Sequence, residues 1–159
     1  MRRQRHRGFS FIELMAALAI MAILLLIAVP SARVAVQRHK EVELRSALAE
    51  IRRAIDRYKL AAEQGRILVE SGGTGYPPDL RTLVDGVEDA GSPSRTMIYF
   101  LRRVPPDPFN QRSYAAPEES WGLRSYDTPP DRPAAGEDVF DVYSTSTGIG
   151  LNGVAYRDW

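Results

Sequence analysis

The sequence predicts an α+β chain: one long N-terminal helix followed by a small domain of short strands. Three observations carry this. Leu14 to Val29 holds no charge, glycine or proline. Ala32 to Gln64 again lacks glycine and proline, and Leu44, Leu48, Ile51, Ile55 and Tyr58 recur at steps of four and three, the spacing of one helix face. After Gly65 the composition changes to turn residues interleaved with short β-type runs. A chain of 159 residues suits one such helix and one small domain.

The N-terminus opens on Arg2, Arg3, Arg5 and Arg7. With Phe9 to Ile12 included, the apolar run behind them is long enough to cross a bilayer core as a helix. A basic start before a membrane helix predicts a cytoplasmic N-terminus and an exported remainder. The same arginines mask an acidic balance: without them the formal charge of +1 becomes about −3. Topology accounts for the basic cluster, so nucleic-acid binding is not implied. One carboxylate, Glu13, interrupts the apolar run. An ionisable group at membrane depth is costly and marks a functional site by default. The bland alternative is a glutamate near a helix end whose head snorkels to the headgroups. An ordinary secretory signal shares the basic start and apolar core, and Ala28-Val29-Pro30-Ser31-Ala32 offers small residues near a cut. Against it stand the length of the run, Glu13 within it, and the helix-forming sequence directly behind it.

From Ala32 the pattern stays helical, rich in Ala, Leu, Glu, Arg and Lys. Glu41 and Arg45 are spaced for an i,i+4 ion pair with the acid on the preferred N-terminal side. Gly65 is a natural stop. A helix from Phe9 to Gln64 would be about 80 Å long. Its first half is apolar all round, as suits lipid or a fibre core. Its second half is amphipathic, as suits a domain packed on the stripe. Pro30, at the junction, removes a backbone donor and is expected to kink or loosen the helix.

Ser71 to Gly75 reads as a flexible link and Tyr76-Pro77-Pro78-Asp79 as a turn. Leu80, Leu83, Val84 and Val87 mark one face of a short helix, with Asp79 as N-cap and Gly86 weakening its last turn. Gly91-Ser92-Pro93 is loop. Met97 to Leu101 and Trp121 to Tyr126 have strand composition, and Pro105-Pro106-Asp107-Pro108 between them must turn. Residues 128–137, rich in Pro, Asp and Gly, read as an exposed loop. Val139 to Ser144 alternates apolar with polar and is the clearest strand. An Asn152-Gly153 turn follows, and Trp159 is expected to be tied down on the domain.

Several chemistries are excluded or disfavoured. There is no cysteine, hence no disulfide and no cysteine–zinc site. Gly148, Gly150 and Gly153 spell G-x-G-x-x-G, but a dinucleotide site needs a helix and an acidic residue about 20 positions on, and only a few residues follow. His6 lies in the basic leader, and His39 sits among charges on a solvated helix side. Asp107, between prolines, is expected to fix a turn rather than act as an acid. Asp131, Glu137 and Asp138 read as a loose, solvated acidic loop, the one other place for weak calcium. No catalytic constellation emerges, and no enzyme is expected.

Gly8-Phe9-Ser10-Phe11-Ile12-Glu13, with the basic leader before it and the apolar helix behind it, resembles the class III signal of type IV pilins and type II secretion pseudopilins. The resemblance implies that a prepilin peptidase cuts between Gly8 and Phe9, that Phe9 is then N-methylated, and that Glu13 serves assembly. Pro30 falls where that family often has a proline. Farther on, Tyr76 to Val84, Leu101 to Asn110 (with Phe109 where a tryptophan is usual), Asp141 to Ser144 and Asp158-Trp159 are similar to the major pseudopilin of type II secretion. The implied fold is type IV pilin-like: a long N-terminal α-helix packed on a small antiparallel β-sheet domain. The implied organisation is a leader, 1–8, a transmembrane and fibre-core helix, 9–30, its amphipathic continuation, 31–70, and a periplasmic α+β domain, 71–159.

One departure stands out. The major pseudopilins bind calcium through acidic side chains in the loop before their last residues. Here Thr145 to Arg157 contains no carboxylate. Calcium takes about six to eight oxygen ligands, several of them commonly carboxylate. Backbone carbonyls with Ser146, Asn152 and Asp158 would make a weak site, so no calcium of the family type and no other cofactor is expected. Turn chemistry at the glycines would hold the loop instead. The expected function is that of a structural pseudopilin in the periplasmic pseudopilus of a type II secretion system, with a type IV pilus pilin for adhesion or motility as the alternative. The expected partners are further copies of the chain, other pseudopilins, the prepilin peptidase, the inner-membrane secretion platform and, before assembly, membrane lipid. The expected location is the bacterial inner membrane, single-pass, and then the periplasmic pseudopilus.

Overall fold

The computed structural model describes residues 10–110 and 116–159; Gly8 and Phe9 lie outside them. Helix α1 runs from Phe11–Glu63. Behind it come the one-turn helix α2, Thr82–Asp85, and strands β1, Val87–Glu88, β2, Met97–Ile98, β3, Trp121–Arg124, and β4, Asp141–Ser144. Short 3-10 turns lie at Pro117–Ser120 and Tyr156–Asp158. Two compact units follow one another along the chain, Met1–His39 and Lys40–Trp159. This is the α+β arrangement expected of a type IV pilin-like fold.

The amphipathic stripe becomes the core of the second unit. Leu44, Leu48, Ile51, Ile55 and Tyr58 are all buried, together with Ala47, Ala54 and Ala61 on the same side of α1. Leu80, Leu83, Phe100, Leu101, Val104, Trp121, Val139, Val142 and Tyr156 close over them. Gly65 stops the helix by adopting a left-handed φ of 71°, which costs glycine little. The N-cap position of α2 falls on Arg81 rather than on Asp79, but the Asp79 Oδ1, three residues before the helix, accepts the Thr82 N–H at 2.7 Å and so satisfies its first amide.

The strands form two antiparallel ladders rather than one sheet. β1 pairs with β2, Val87 opposite Ile98, and β3 with β4, Trp121 opposite Ser144. Val87, expected on the face of the short helix, instead lies in β1, because Gly86 ends α2 with a φ of 80°. β2, β3 and β4 are each shorter than their composition predicts, because loop carbonyls capture the flanking amides. Phe100 and Leu101 both donate to Leu83 O, which ends β2. Ser125 donates to Ala134 O, which ends β3, and Val139 donates to Pro77 O before β4 begins. At the β3–β4 pair Gly122 lies opposite Tyr143, and a Cβ there would meet the tyrosine ring at 2.3 Å. The close approach therefore requires glycine.

Asp107 fixes its turn, as its setting between prolines implied. It is fully buried, its Oδ1 accepts the Phe109 N–H at 2.8 Å, and its Oδ2 accepts the Ser144 hydroxyl at 2.6 Å. Asp138 corrects the reading of a solvated acidic loop. It is buried and accepts hydrogen bonds from the Thr74 hydroxyl, the Ser125 hydroxyl at 2.7 Å and the Tyr126 N–H at 2.9 Å. Burial alone would raise its pKa, but these three donors together hold it below the ordinary carboxylate value. A depressed folded pKa contributes stability that is complete above the unfolded value and is lost as pH falls through the folded one. Thermal midpoints of the detergent-solubilised chain should therefore drop below about pH 4. Asp138→Asn should lower the midpoint at neutral pH and flatten this part of the acid limb.

Candidate functional site

The first unit presents an apolar helix that the chain itself leaves uncovered. An 18-residue window of α1 near the N-terminus has a mean hydropathy of 2.8, and none of it is buried. Phe11, Ile12, Leu18, Ile20, Met21, Leu24 and Leu26 are all more than half exposed. In water such a surface carries a large hydrophobic cost, so it belongs in lipid or against other helices.

Glu13 sits in the first turn of α1. The Ser10 carbonyl opens that turn, accepting the N–H groups of Glu13 and Leu14 at 3.1 Å each. A carboxylate there complements the positive end of the helix dipole. From Phe11 through Pro30 Glu13 is the lone ionisable residue. Its chemical capacity is to accept from a cationic donor brought alongside it. The residues that would supply the processed N-terminus, Gly8 and Phe9, are not among those described. Pro30 lies inside α1, and the helix continues through it without a break. Because proline carries no N–H, the Leu26 carbonyl has no i+4 backbone donor.

The second unit holds a feature that sequence reasoning missed. Glu41 was assigned by its spacing to an ion pair with Arg45. In the structure it is 6% exposed, and its Oε1 accepts the Leu151 N–H at 2.8 Å and the Tyr156 hydroxyl at 3.0 Å. Arg45 instead lies 4.3 Å from the centre of the Trp159 ring. The signal was present in the spacing: Glu41 stands three residues before Leu44, in register with the buried stripe.

Around that carboxylate the carboxylate-free loop Thr145 to Arg157 folds on its own hydrogen bonds. Gly150 donates to Val154 O at 2.8 Å, Gly153 to Gly150 O at 2.9 Å, and Tyr156 to Gly148 O at 3.1 Å. Phe109 stacks on Tyr156 at 4.0 Å, and Trp159 meets Tyr156 edge-on at 5.2 Å. Trp159 is thus tied down as expected, and a Cβ at Gly150 would strike its ring at 2.5 Å. Arg52 completes the fastening: it pairs with Asp141 at 2.7 Å and donates to Val142 O and Trp159 O. Among the described residues no three His, Cys, Asp or Glu side chains gather as a metal site would. Glu41→Ala would leave the Tyr156 hydroxyl and the Leu151 N–H without this acceptor, at a cost of about 2–3 kcal/mol. Hydrogen exchange should show loss of protection concentrated in residues 148–158, and Glu41→Gln, which keeps an acceptor oxygen, should lose less.

Residues 3–29 match the prokaryotic N-terminal methylation motif. No curated protein and no solved structure matches the chain significantly. The matched segment spans the basic leader, Gly8, Phe9, Glu13 and most of the uncovered apolar helix. The match indicates a type IV pilin-like prepilin, a class for which the motif implies processing by a prepilin peptidase and self-assembly. Among the described residues one helix, near the N-terminus, is long and apolar enough to cross a membrane.

Proposed function

We propose that the chain is a structural, non-enzymatic pseudopilin that assembles into the periplasmic pseudopilus of a type II protein secretion system. The observation that carries the reading is Glu13, a lone carboxylate at the head of an uncovered apolar helix, within a methylation motif. Cleavage between Gly8 and Phe9 gives Phe9 a positive amine. In an apolar fibre core that amine needs an anionic partner, because an unpaired buried charge is costly. Glu13 of a neighbouring copy supplies it, which offsets both desolvation costs and sets the axial register. Pro30 loosens the helix where the membrane segment ends, so that neighbouring helices pack closely. Other pseudopilins and the inner-membrane platform act on the same apolar segment as it leaves the bilayer.

The assignment to secretion rather than to a surface pilus rests on the second unit. Tyr76 to Val84, Leu101 to Asn110 and Asp158-Trp159 resemble the major pseudopilin, and the chain lacks the cysteines from which many type IV pilins build a terminal disulfide loop. In the host, deletion of the gene should trap specific exoproteins in the periplasm. The wild-type chain should restore their release, and Glu13→Lys should be processed normally yet recover less than about a tenth of the fibre. Intact secretion with lost surface fibres or twitching would move the assignment to a type IV pilus pilin.

The calcium question belongs to the same reading. Glu41 and the aromatic stack give the last loop an internal support, and this supports the reading that the loop needs no bound calcium. Millimolar calcium or EGTA should leave the thermal midpoint of the solubilised chain unchanged; a shift of several degrees would contradict this.

A further inference from the structure

The described arginines of Lys40–Trp159 divide into two sets. Arg52 and Arg124 pair with Asp141, Arg66 with Asp89, Arg81 with Asp85, Arg95 with Glu88, Arg132 with Asp131, and Arg157 with Asp158. Arg45 covers the Trp159 ring. Arg53, Arg57, Arg102 and Arg103 enter no ion pair among the described residues, and all four are exposed.

Three of these four meet at one place. Arg53, Arg57 and Arg102 line a cleft of about 390 Å³ between α1 and the segment after β2, where Glu50 is the one lining carboxylate. Arg53 donates to Ala49 O at 2.8 Å and Arg57 to Phe100 O. Those carbonyls hold the guanidiniums in place without neutralising them. Arg53 and Arg57 stand one helical turn apart, where like charges repel. A planar guanidinium cluster of this kind is suited to bidentate recognition of carboxylates.

The complementary feature is on the same chain. In the loop 127–137 Asp127, Asp131 and Glu137 are exposed. Asp131 pairs with Arg132, and Asp127 and Glu137 have no ion-pair partner among the described residues. Among the described residues no ion pair joins this loop to the cleft within one copy. Among the described residues each copy therefore presents three arginines against one cleft carboxylate, and an acidic loop with two side chains outside any ion pair. A contact between two different surfaces of identical chains repeats head to tail, and builds an open filament wherever its rotation does not close into a ring. We propose that the Arg53–Arg57–Arg102 cleft receives the acidic loop, through Asp127 and Glu137, of a second copy of this chain. This rests on the reading that the chain assembles with itself, and adds a contact between periplasmic domains to the one at Glu13.

The test is a charge exchange in the full chain, made in the host with its peptidase and platform. Fibre recovered by shearing is normalised to processed chain in the membrane. R53E/R102E and D127R/E137R should each cut recovery about tenfold, as like charges face one another. The quadruple variant should return recovery to within about threefold of wild type, because opposite charges face again. R53K/R102K, which keeps the charge, should stay near wild type and controls for folding. Wild-type recovery from R53E/R102E, or loss in both double variants with no rescue in the quadruple, overturns the proposal; the latter outcome would assign the cleft to another anion. If the wild-type chain forms no homopolymer at all, the self-assembly reading fails as well, so the two failures are distinguishable.

Discussion

An apolar helix surface that its own chain does not bury governs how this protein can exist. From Phe11 to Leu26 the large side chains stand open. Burial of apolar area stabilises by about 25 cal/mol per Å², and a segment of this length leaves many such increments unrealised in an isolated chain. Lipid supplies the burial first, and neighbouring copies can supply it afterwards. Transfer between these two environments is close to neutral for the apolar side chains, since both are hydrocarbon-like. In the proposed assembly the polar atoms then decide register and direction, and Glu13 is the side chain assigned to do so.

The second unit solves a different problem. Half of α1 must carry a domain whose strands are only two to four residues long. Ladders this short contribute little by themselves. The domain is held instead by the stripe from Leu44 to Tyr58 and by buried polar groups that fasten loops at single points. Asp107 joins the proline turn to β4, Asp138 joins the acidic loop to the residues around Thr74 and Ser125, and Glu41 with Arg52 joins α1 to the last loop and β4. Each supplies hydrogen bonds that a longer sheet would have supplied through its backbone. A chain built this way can place its loops rigidly without cysteine.

Much of this was legible in the sequence, because much of it depends on local chemistry. The spacing of the stripe, the stop at Gly65, the acceptor at Asp79 and the prolines around Asp107 need no tertiary partner to be read. Glu13 stands out in the sequence because a carboxylate in an apolar run is conspicuous. Glu41 and Asp138 were not legible. Each is a surface-type residue by composition, made interior by donors far along the chain, Leu151 and Tyr156 for one and Thr74 and Ser125 for the other. Strand lengths were overestimated for a related reason: amides at their ends bond to loop carbonyls such as Leu83 and Pro77, which no periodicity announces. The arginine cleft was hidden likewise, since only the folded chain shows which arginines have partners.

The central claim is that Glu13 binds the amine of a neighbouring copy once the leader is gone. The most direct measurement is a cryo-electron microscopy reconstruction of the fibre at side-chain resolution. The account predicts a chain that begins at N-methylated Phe9, with the Glu13 carboxylate of one copy within hydrogen-bond distance of the Phe9 amine of its neighbour. A fibre in which Glu13 faces solvent, or in which the Phe9 amine meets another partner, would contradict it.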